Sequence, residues 1–364
     1  MLRFLLVIVI AVPFSAAAQD TAPAVDVITL AAVGDIMMGS DYPDPKLPPE
    51  DGKGIFDSVK HILQGHDIVF GNLEGPLLDS RNESTKCRTR GSCYAFRTPT
   101  RYVEHLKEAG FTALGIANNH ASDFGEEGRE STIDALESAG IRPVGGPLIA
   151  RSLVKGRKIA VAGFSFSTST PYSYSILDIK EAQRIVEGLK RDNDLVIISF
   201  HGGAEGIYAQ RLYKGPEKFL GEDRGDVIRF SRAVVDAGAD MVIGHGPHVL
   251  RAIEIYKGRL IAYSLGNFLT YARFNIRGPS GIGAVLQASL DARTGAFMAG
   301  RLVPVRLLNE GVPEPDPERR GISLMRRLTR QDIPSPRIEI MDDGAILIDV
   351  ANRTRTGQGT AKVR

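Results

Sequence analysis

Apolar residues in this chain fall into short runs separated by longer stretches in which they recur at helical spacing. The runs are VITLAAVG (27–34), DIVFG (67–71), TALGIA (112–117), KIAVAGF (158–164), DLVIISF (194–200), DMVIG (240–244), RLIAYSLG (259–266) and GIGAVLQASL (281–290). Each is rich in Val, Ile and Leu without clean alternation, the pattern expected of strands buried on both faces. Helical patterns lie between them. In TPTRYVEHLKEAG, Pro99 and Thr100 precede an amphipathic turn that Gly110 closes, and EEGRESTIDALESAG and RGDVIRFSRAVVDAGAD end in the same Ala-Gly way. Strand and helix alternating in this manner predict an α/β sandwich.

The polar residues just past each run are the informative ones. Asp35 follows the first run, Asn72 and Glu74 the second, and Asn118, Asn119 and His120 the third. His201 follows DLVIISF, His245 and His248 follow DMVIG, and Asn267 follows RLIAYSLG. Amides and imidazoles at the ends of buried strands are costly to desolvate without partners. In α/β sheets the ligand crevice lies outside the carboxyl ends of the strands. These scattered groups are therefore expected to converge on one another and on something bound between them.

Of the seven histidines, His61, His66 and His105 lie on or beside helical segments and read as solvated. The other four sit at strand ends. One such histidine would be read as a satisfied core residue, but four with Asp35, Glu74 and Asn119 point to a metal-binding cluster.

Composition adds boundaries. With 364 residues, 43% hydrophobic and 24% charged, the chain has enough apolar content for a large core. A net charge of +2 and the absence of Trp give no sign of a nucleic-acid binder. The length allows one large domain or two small ones, and no internal repeat is visible.

The first residues, MLRFLLVIVIAVPFSAAAQD, combine Arg3, an apolar stretch from Phe4 to Phe14 and a small-residue site at Ala16–Ala18. That is a signal-peptide pattern, predicting cleavage after Ala18 and export to the periplasm or the exterior; an uncleaved anchor is the alternative. The two cysteines, Cys87 and Cys93, are then expected to form one disulfide, with half of a metal site as the other reading. Past residue 308 the composition changes to a Pro-rich charged linker, a short helix carrying ISLMRRL, and a hairpin around Asp342-Asp343-Gly344. This extension (309–350) is expected to be a lid or an added sheet edge, and 351–364 a disordered basic tail. The main domain is bounded at 26–308.

The motifs AAVGDIMMG, VFGNLEGPL, IANNHASDFG, SFHGGAE, IGHGPHVL and AYSLGNF, in that order, resemble the poly-γ-glutamate synthesis protein CapA family. The resemblance implies a calcineurin-like metallophosphoesterase fold, a four-layered α/β/β/α sandwich, and a role in making, exporting or anchoring poly-γ-glutamate capsule. That fold holds two metal ions with D-x-H, G-D-x-x-D, G-N-H, a lone His and G-H-x-H. Asp35 matches the first Asp, Asn119-His120 the N-H, His201 the lone His and His245 the first His of the last motif. Three positions depart: Met37 stands where D-x-H has its His, Asn72 and Glu74 where a bridging Asp is expected, and the last motif reads H-G-P-H.

The resemblance thus leaves Asp35, Glu74, Asn119, His201, His245 and His248 as candidate ligands for one or two divalent ions. Mixed oxygen and imidazole donors suit Mn, Fe or Zn. His120 is the candidate proton donor to a leaving group, with Asp123 or another carboxylate on its other nitrogen. Asn72, Asn118 and Asn267 are candidate substrate-binding groups. The substrate would be a phosphoester or a γ-glutamyl bond, and the partners poly-γ-glutamate or another anion and membrane-bound polymer synthesis or export proteins. Two other functions stay open: a generic secreted metallophosphoesterase, and a non-enzymatic module that binds polyglutamate through basic residues such as KCRTR, Arg97, Arg101, Arg273 and Arg277.

Overall fold

Two β-sheets stack face to face in the structure, a computed structural model that describes residues 26–88, 94–167 and 173–348. The expected signal peptide, the basic tail and one member of the cysteine pair, Cys93, lie outside the described residues. In the first sheet the strand Val27–Met37 is central. It runs parallel to Ile68–Leu73 on one side and antiparallel to Ile282–Asp291 on the other. Ala113–Gly115 and Arg142–Val144 continue the parallel side. The second sheet is built on Arg157–Ser165, Leu195–His201, Met241–His245 and Arg259–Ala262, which run parallel to one another.

Burial on both faces is visible residue by residue. Along Val27–Met37, Leu30 and Ala32 face the second sheet and join Phe70, Val161, Ile198 and Ile243 in one apolar cluster. Ala31 and Val33 point the other way, packing with Val59, Leu63, Leu106 and Leu136 from the helical layer on the outer face. Helices Ile179–Asp192 and Val227–Asp236 cover the second sheet through Val186, Leu189, Phe230 and Val234. The result is the four-layered α/β/β/α sandwich. Both covering helices start at an Asp cap: Asp178 accepts from the Glu181 amide and Asp226 from the Arg229 amide, each at 3.0 Å. Such a cap contributes about 1 kcal/mol.

One departure from the sequence reading bears on the cleft. The run RLIAYSLG is not one strand: Arg259–Ala262 belongs to the second sheet, and the chain then crosses so that Asn267–Thr270 pairs parallel with Val27–Met37 in the first. The crossing turns at Gly266, whose φ is +67°, and it presses against Gly34, where any Cβ would lie 1.8 Å from the Gly266 carbonyl oxygen. Only glycine fits at that contact.

At the C-terminal end, where a lid and an added sheet edge are the two expectations, the chain forms the edge. Val312–Pro315 pairs with the long strand Phe297–Leu308, and the hairpin Ile338–Ile340/Ala345–Ile348 adds to the same strand through Gly300 and Arg301. Residues 309–348 therefore extend the first sheet rather than close over the cleft. Among the described residues, no helix is long and apolar enough to cross a membrane.

Candidate metal centre

The parallel strands of both sheets end at one cleft, and the register there brings the polar residues together. Asp35 is held by its own amide, which donates to the Gly266 carbonyl at 2.9 Å. Glu74 is held likewise, its amide donating to the Ile36 carbonyl at 2.8 Å. His201 and His245 are direct neighbours on adjacent parallel strands. His248 reaches in from the H-G-P-H turn with a left-handed φ of +57°, a conformation rare outside glycine and found at functional sites.

Asp35, Glu74 and His248 offer ligand atoms that all lie within 4.8 Å of one another. His248 Nδ1 is 3.0 Å from Asp35 Oδ2 and 3.0 Å from Asn267 Oδ1, so one N–H stands between two acceptors; it donates to Asn267. His248 Nε2 is 3.5 Å and His201 Nε2 3.9 Å from Glu74 Oε1, and His245 Nδ1 is 3.6 Å from Asp35 Oδ1.

The donor set fits a divalent cation on a direct test. Among the described residues Asp35 Oδ2, both Glu74 carboxylate oxygens, Asn119 Oδ1, His201 Nε2 and both His245 nitrogens are buried without a hydrogen-bond partner. Leaving buried polar atoms unsatisfied costs about 1–3 kcal/mol each, and more for charged ones. Converging oxygen and imidazole atoms of this kind are what a Mn, Fe or Zn ion would satisfy.

The electrostatics agree. Burial pushes the Glu74 carboxyl well above the usual carboxylate range, with Asp35 and Glu205 adding to the effect. Burial would raise Asp35 too, but the contact and charge of His248, with His245 and His201 behind it, hold it well below its ordinary value. Burial drives His201 well down and His245 down to about 4. For His248 burial also acts downward, yet Glu74 and Asp35 outweigh it and lift the ring to about 10. Without a metal ion, His248 therefore carries the positive charge of the cluster.

The three asparagines are engaged behind these ligands. Asn118 Nδ2 donates to Asn72 Oδ1 at 3.0 Å and to the Leu73 carbonyl at 2.9 Å. Asn72 Nδ2 donates to Asp35 Oδ1 at 2.9 Å and lies 3.3 Å from His201 Nδ1. Asn267 accepts from His248 and donates to the Ser280 carbonyl at 3.0 Å. Asn72 and Asn267 thus touch candidate ligand side chains directly and Asn118 acts through Asn72, the arrangement of groups that orient ligands at metal sites. Met37, standing where the resemblance expects a histidine, is buried with Sδ accepting from the Gly39 amide at 3.3 Å.

His120 occupies the other half of the cleft. Its Nδ1 lies 2.8 Å from Asp123 Oδ2, which also accepts from the Phe96 amide at 2.8 Å. Donation from Nδ1 to Asp123 leaves Nε2 as the nitrogen available to a bound molecule. Burial lowers the His120 pKa, against the pull of Asp123. The ring packs on Phe96 at 4.4 Å, Phe96 on Phe274 at 5.2 Å and Phe274 on His248 at 4.9 Å, so an aromatic wall joins the two halves.

Several residues at the cleft escaped the sequence reading. Lys86 Nζ is 3.0 Å from Asp123 Oδ1. Glu205, paired with Arg224 at 2.5 Å, adds its charge to Glu74, His120 and His248. Lys86 lies in the basic stretch KCRTR and Glu205 in the motif SFHGGAE, whose charges carry a signal; Phe96 and Phe274 have none. Of the basic residues considered for a polyanion, Arg97 and Arg101 pair with Asp41 and Asp51, and Arg273 donates to the Tyr42 carbonyl.

Known proteins place this cleft in a lineage. The family described as bacterial capsule synthesis protein PGA_cap matches residues 29–272. The capsule biosynthesis protein CapA of Bacillus anthracis is 31% identical over 261 residues, covering 66% of this chain and 59% of its own. The PGA biosynthesis protein CapA of Bacillus subtilis (strain 168) is 31% identical over 260 residues, 67% of this chain and 63% of its own. A probable polyglutamine synthesis accessory protein of Mycobacterium tuberculosis is 31% identical over 297 residues, 66% of this chain and 74% of its own. The chain thus spans about three-fifths of the length of the two Bacillus relatives. Among solved structures, a novel phosphatase from Mycoplasma pneumoniae is similar with a TM-score of 0.48 and 15% identity, over 81% of this chain and 96% of that one. The stretch 29–272 contains every candidate ligand from Asp35 to His248, and the chain belongs to the bacterial capsule synthesis protein PGA_cap family.

Proposed function

We propose that this chain is an exported component of poly-γ-glutamate capsule production whose cleft is a divalent-metal-dependent hydrolase or transferase centre for an anionic substrate. The observation that carries the reading is the group of buried, partnerless oxygen and nitrogen atoms on Asp35, Glu74, Asn119, His201 and His245, facing one cleft beside His248. The names of the Bacillus relatives support the capsule assignment.

Those residues would hold the ion, which when bound supplies Lewis acidity and a water of lowered pKa. His120 would act in its doubly protonated form, giving the Nε2 proton to the leaving atom while Asp123 holds the Nδ1 proton and the ring in one orientation. As the bond from the incoming oxygen to phosphorus or to a γ-glutamyl carbonyl carbon forms, the bond to the leaving oxygen or nitrogen breaks. The leaving atom takes the His120 proton.

The test is to purify the mature protein, load it with Mn, Fe or Zn, and measure bound metal beside turnover. The substrates are a phosphomonoester, a phosphodiester and poly-γ-glutamate. Metal at one or two ions per chain with turnover of any of them supports the reading. Full metal loading without turnover, beside a His120→Asn variant that still supports capsule formation in cells, overturns it. The buried thioether of Met37 in place of a ligand histidine favours a second reading, a binding module for the polymer, which predicts polyglutamate affinity without hydrolysis. The signal-peptide pattern supports export with a mature chain starting near Gln19 and a Cys87–Cys93 disulfide; N-terminal sequencing and thiol titration of unreduced protein check both.

A further inference from the structure

We propose that Lys86 is a positioning residue for the His120 proton donor, acting through the carboxylate of Asp123 and the carbonyl of Asn119. The inference rests on the reading of the cleft as a hydrolytic centre and adds a member that its motifs do not contain. Lys86 Nζ lies 3.0 Å from Asp123 Oδ1, 3.0 Å from the Asn119 carbonyl oxygen and 3.2 Å from His120 Nδ1.

Two of these contacts hold the ammonium, an ion pair with Asp123 Oδ1 and a hydrogen bond to the Asn119 carbonyl; the approach to His120 Nδ1 is neither. Nδ1 of a neutral imidazole is either donor or acceptor. With Asp123 Oδ2 at 2.8 Å and already accepting the Phe96 amide, Nδ1 is the donor to Asp123. The ammonium therefore passes beside the ring and grips what lies on either side of it: the free oxygen of Asp123 and the backbone of Asn119. Asp123 is fully buried, and no hydrogen bond among the described residues reaches Oδ1, so the Lys86 charge is what meets that oxygen.

Lys86 is delivered to this point by its own segment. Ser84 Oγ donates to the Asp123 carbonyl at 2.7 Å, and the Thr85 amide donates to the same oxygen at 3.0 Å. Residues 84–86 thus clasp Asp123 by backbone and side chain together. Without the ammonium, Oδ1 would be a buried, uncompensated carboxylate oxygen, and the carboxylate would turn toward water and carry the His120 ring with it.

A merely structural cation would affect all substrates alike, whereas a group that aims a proton donor matters most where the leaving atom needs the proton. The experiment compares wild type, Lys86→Met, Lys86→Gln and Lys86→Arg, loaded with diamagnetic Zn, on 4-nitrophenyl phosphate and on phenyl phosphate, whose leaving oxygen is far more basic. Metal content and circular dichroism check folding, and the His120 ring N–H is followed by nitrogen-edited NMR. For Lys86→Met we expect kcat on phenyl phosphate to fall about 10–100-fold with KM unchanged, as for loss of groups that orient ligands. On 4-nitrophenyl phosphate the loss is within about twofold, because little protonation is needed there. The ring N–H signal is lost to exchange in Lys86→Met and in Lys86→Gln, and Lys86→Arg restores both signal and turnover. Equal losses on the two esters, or a ring signal indifferent to Lys86, overturn the proposal. Should wild type hydrolyse neither ester, the ring signal decides alone: dependence on Lys86 sustains the positioning role while the hydrolase reading falls.

Discussion

The two halves of the cleft are built on opposite principles. Around His120 and Asp123 the polar contacts are closed within the protein: Nδ1 on Oδ2, the Phe96 amide on the same oxygen, the Lys86 ammonium on Oδ1. Around Asp35, Glu74, His201 and His245, equally buried, Asp35 Oδ2, both Glu74 oxygens, His201 Nε2 and both His245 nitrogens have no hydrogen-bond partner. A closed network fixes geometry before any ligand arrives, while an open one is costly until a ligand fills it. Asn119 belongs to both, its carbonyl gripped by Lys86 and its Oδ1 buried without a hydrogen-bond partner.

The largest effect is expected where the open half loses its central charge. Asp35→Asn should abolish stoichiometric metal binding, read by elemental analysis. It should lower turnover by roughly 10³-fold or more, the equivalent of several kcal/mol of transition-state stabilisation. Metal content equal to wild type would mean that the unpaired atoms are not ligands. His120→Asn should break the closed half alone, reducing turnover by about 10²–10⁴-fold while metal content stays at the wild-type level. If metal is lost as well, the halves are not separable.

Smaller effects sharpen the boundary. Asn72→Ala or Asn267→Ala removes a group that orients a ligand without removing the ligand, and should weaken metal affinity by about 10–100-fold in a competition titration. The last prediction concerns the chelator-treated chain. His248 is raised from 6.5 to about 10 by Glu74 and Asp35 overcoming burial, so its stabilising contribution is full below pH 6.5 and lost as pH rises toward 10. His245, lowered to about 4 by burial, works on the acid side: the unfolded chain takes up its proton first, and stability falls as pH drops from 6.5 toward 4. Urea midpoints of metal-free protein at pH 6 and pH 9 should show the alkaline loss, and His248→Asn should flatten it. An unchanged slope would remove His248 from its place between the two carboxylates.

Much of this was legible in the chain. Runs of Val, Ile and Leu mark the central strands of both sheets but not the edge strands, and the rule that ligands gather at carboxyl ends points Asp35, Asn118, His201 and His245 to one cleft. What escaped was set by geometry with no local signature. RLIAYSLG reads as one apolar run, yet the left-handed turn at Gly266 moves its continuation into the other sheet. The strand Phe297–Leu308 has Gly300, Arg301 and Pro304 among its apolar residues, because its neighbours on both sides satisfy a polar edge that periodicity counts against it. The asparagines read as groups awaiting a substrate because side-chain amides advertise hydrogen-bonding capacity, not its direction. Lys86 looked like part of a basic surface stretch because its target lies on a different segment, past the next strand.

The ligand cluster also sets an order of events. Asp35 lies beside Asn267 across a parallel pairing, beside Asn72 across another, and meets His245 and His248 from the opposite sheet. No fragment of the chain short of both sheets in register brings these groups together, and contacts so distant in sequence form late and slowly during folding. Small zinc modules use their ion as a seed that drives the chain to fold. Here the sequence of steps is reversed, and uptake of the ion would be a clock that starts only when assembly has finished. In refolding from denaturant, secondary structure should recover first and metal uptake should lag behind it, at the rate of the slowest sheet-pairing step.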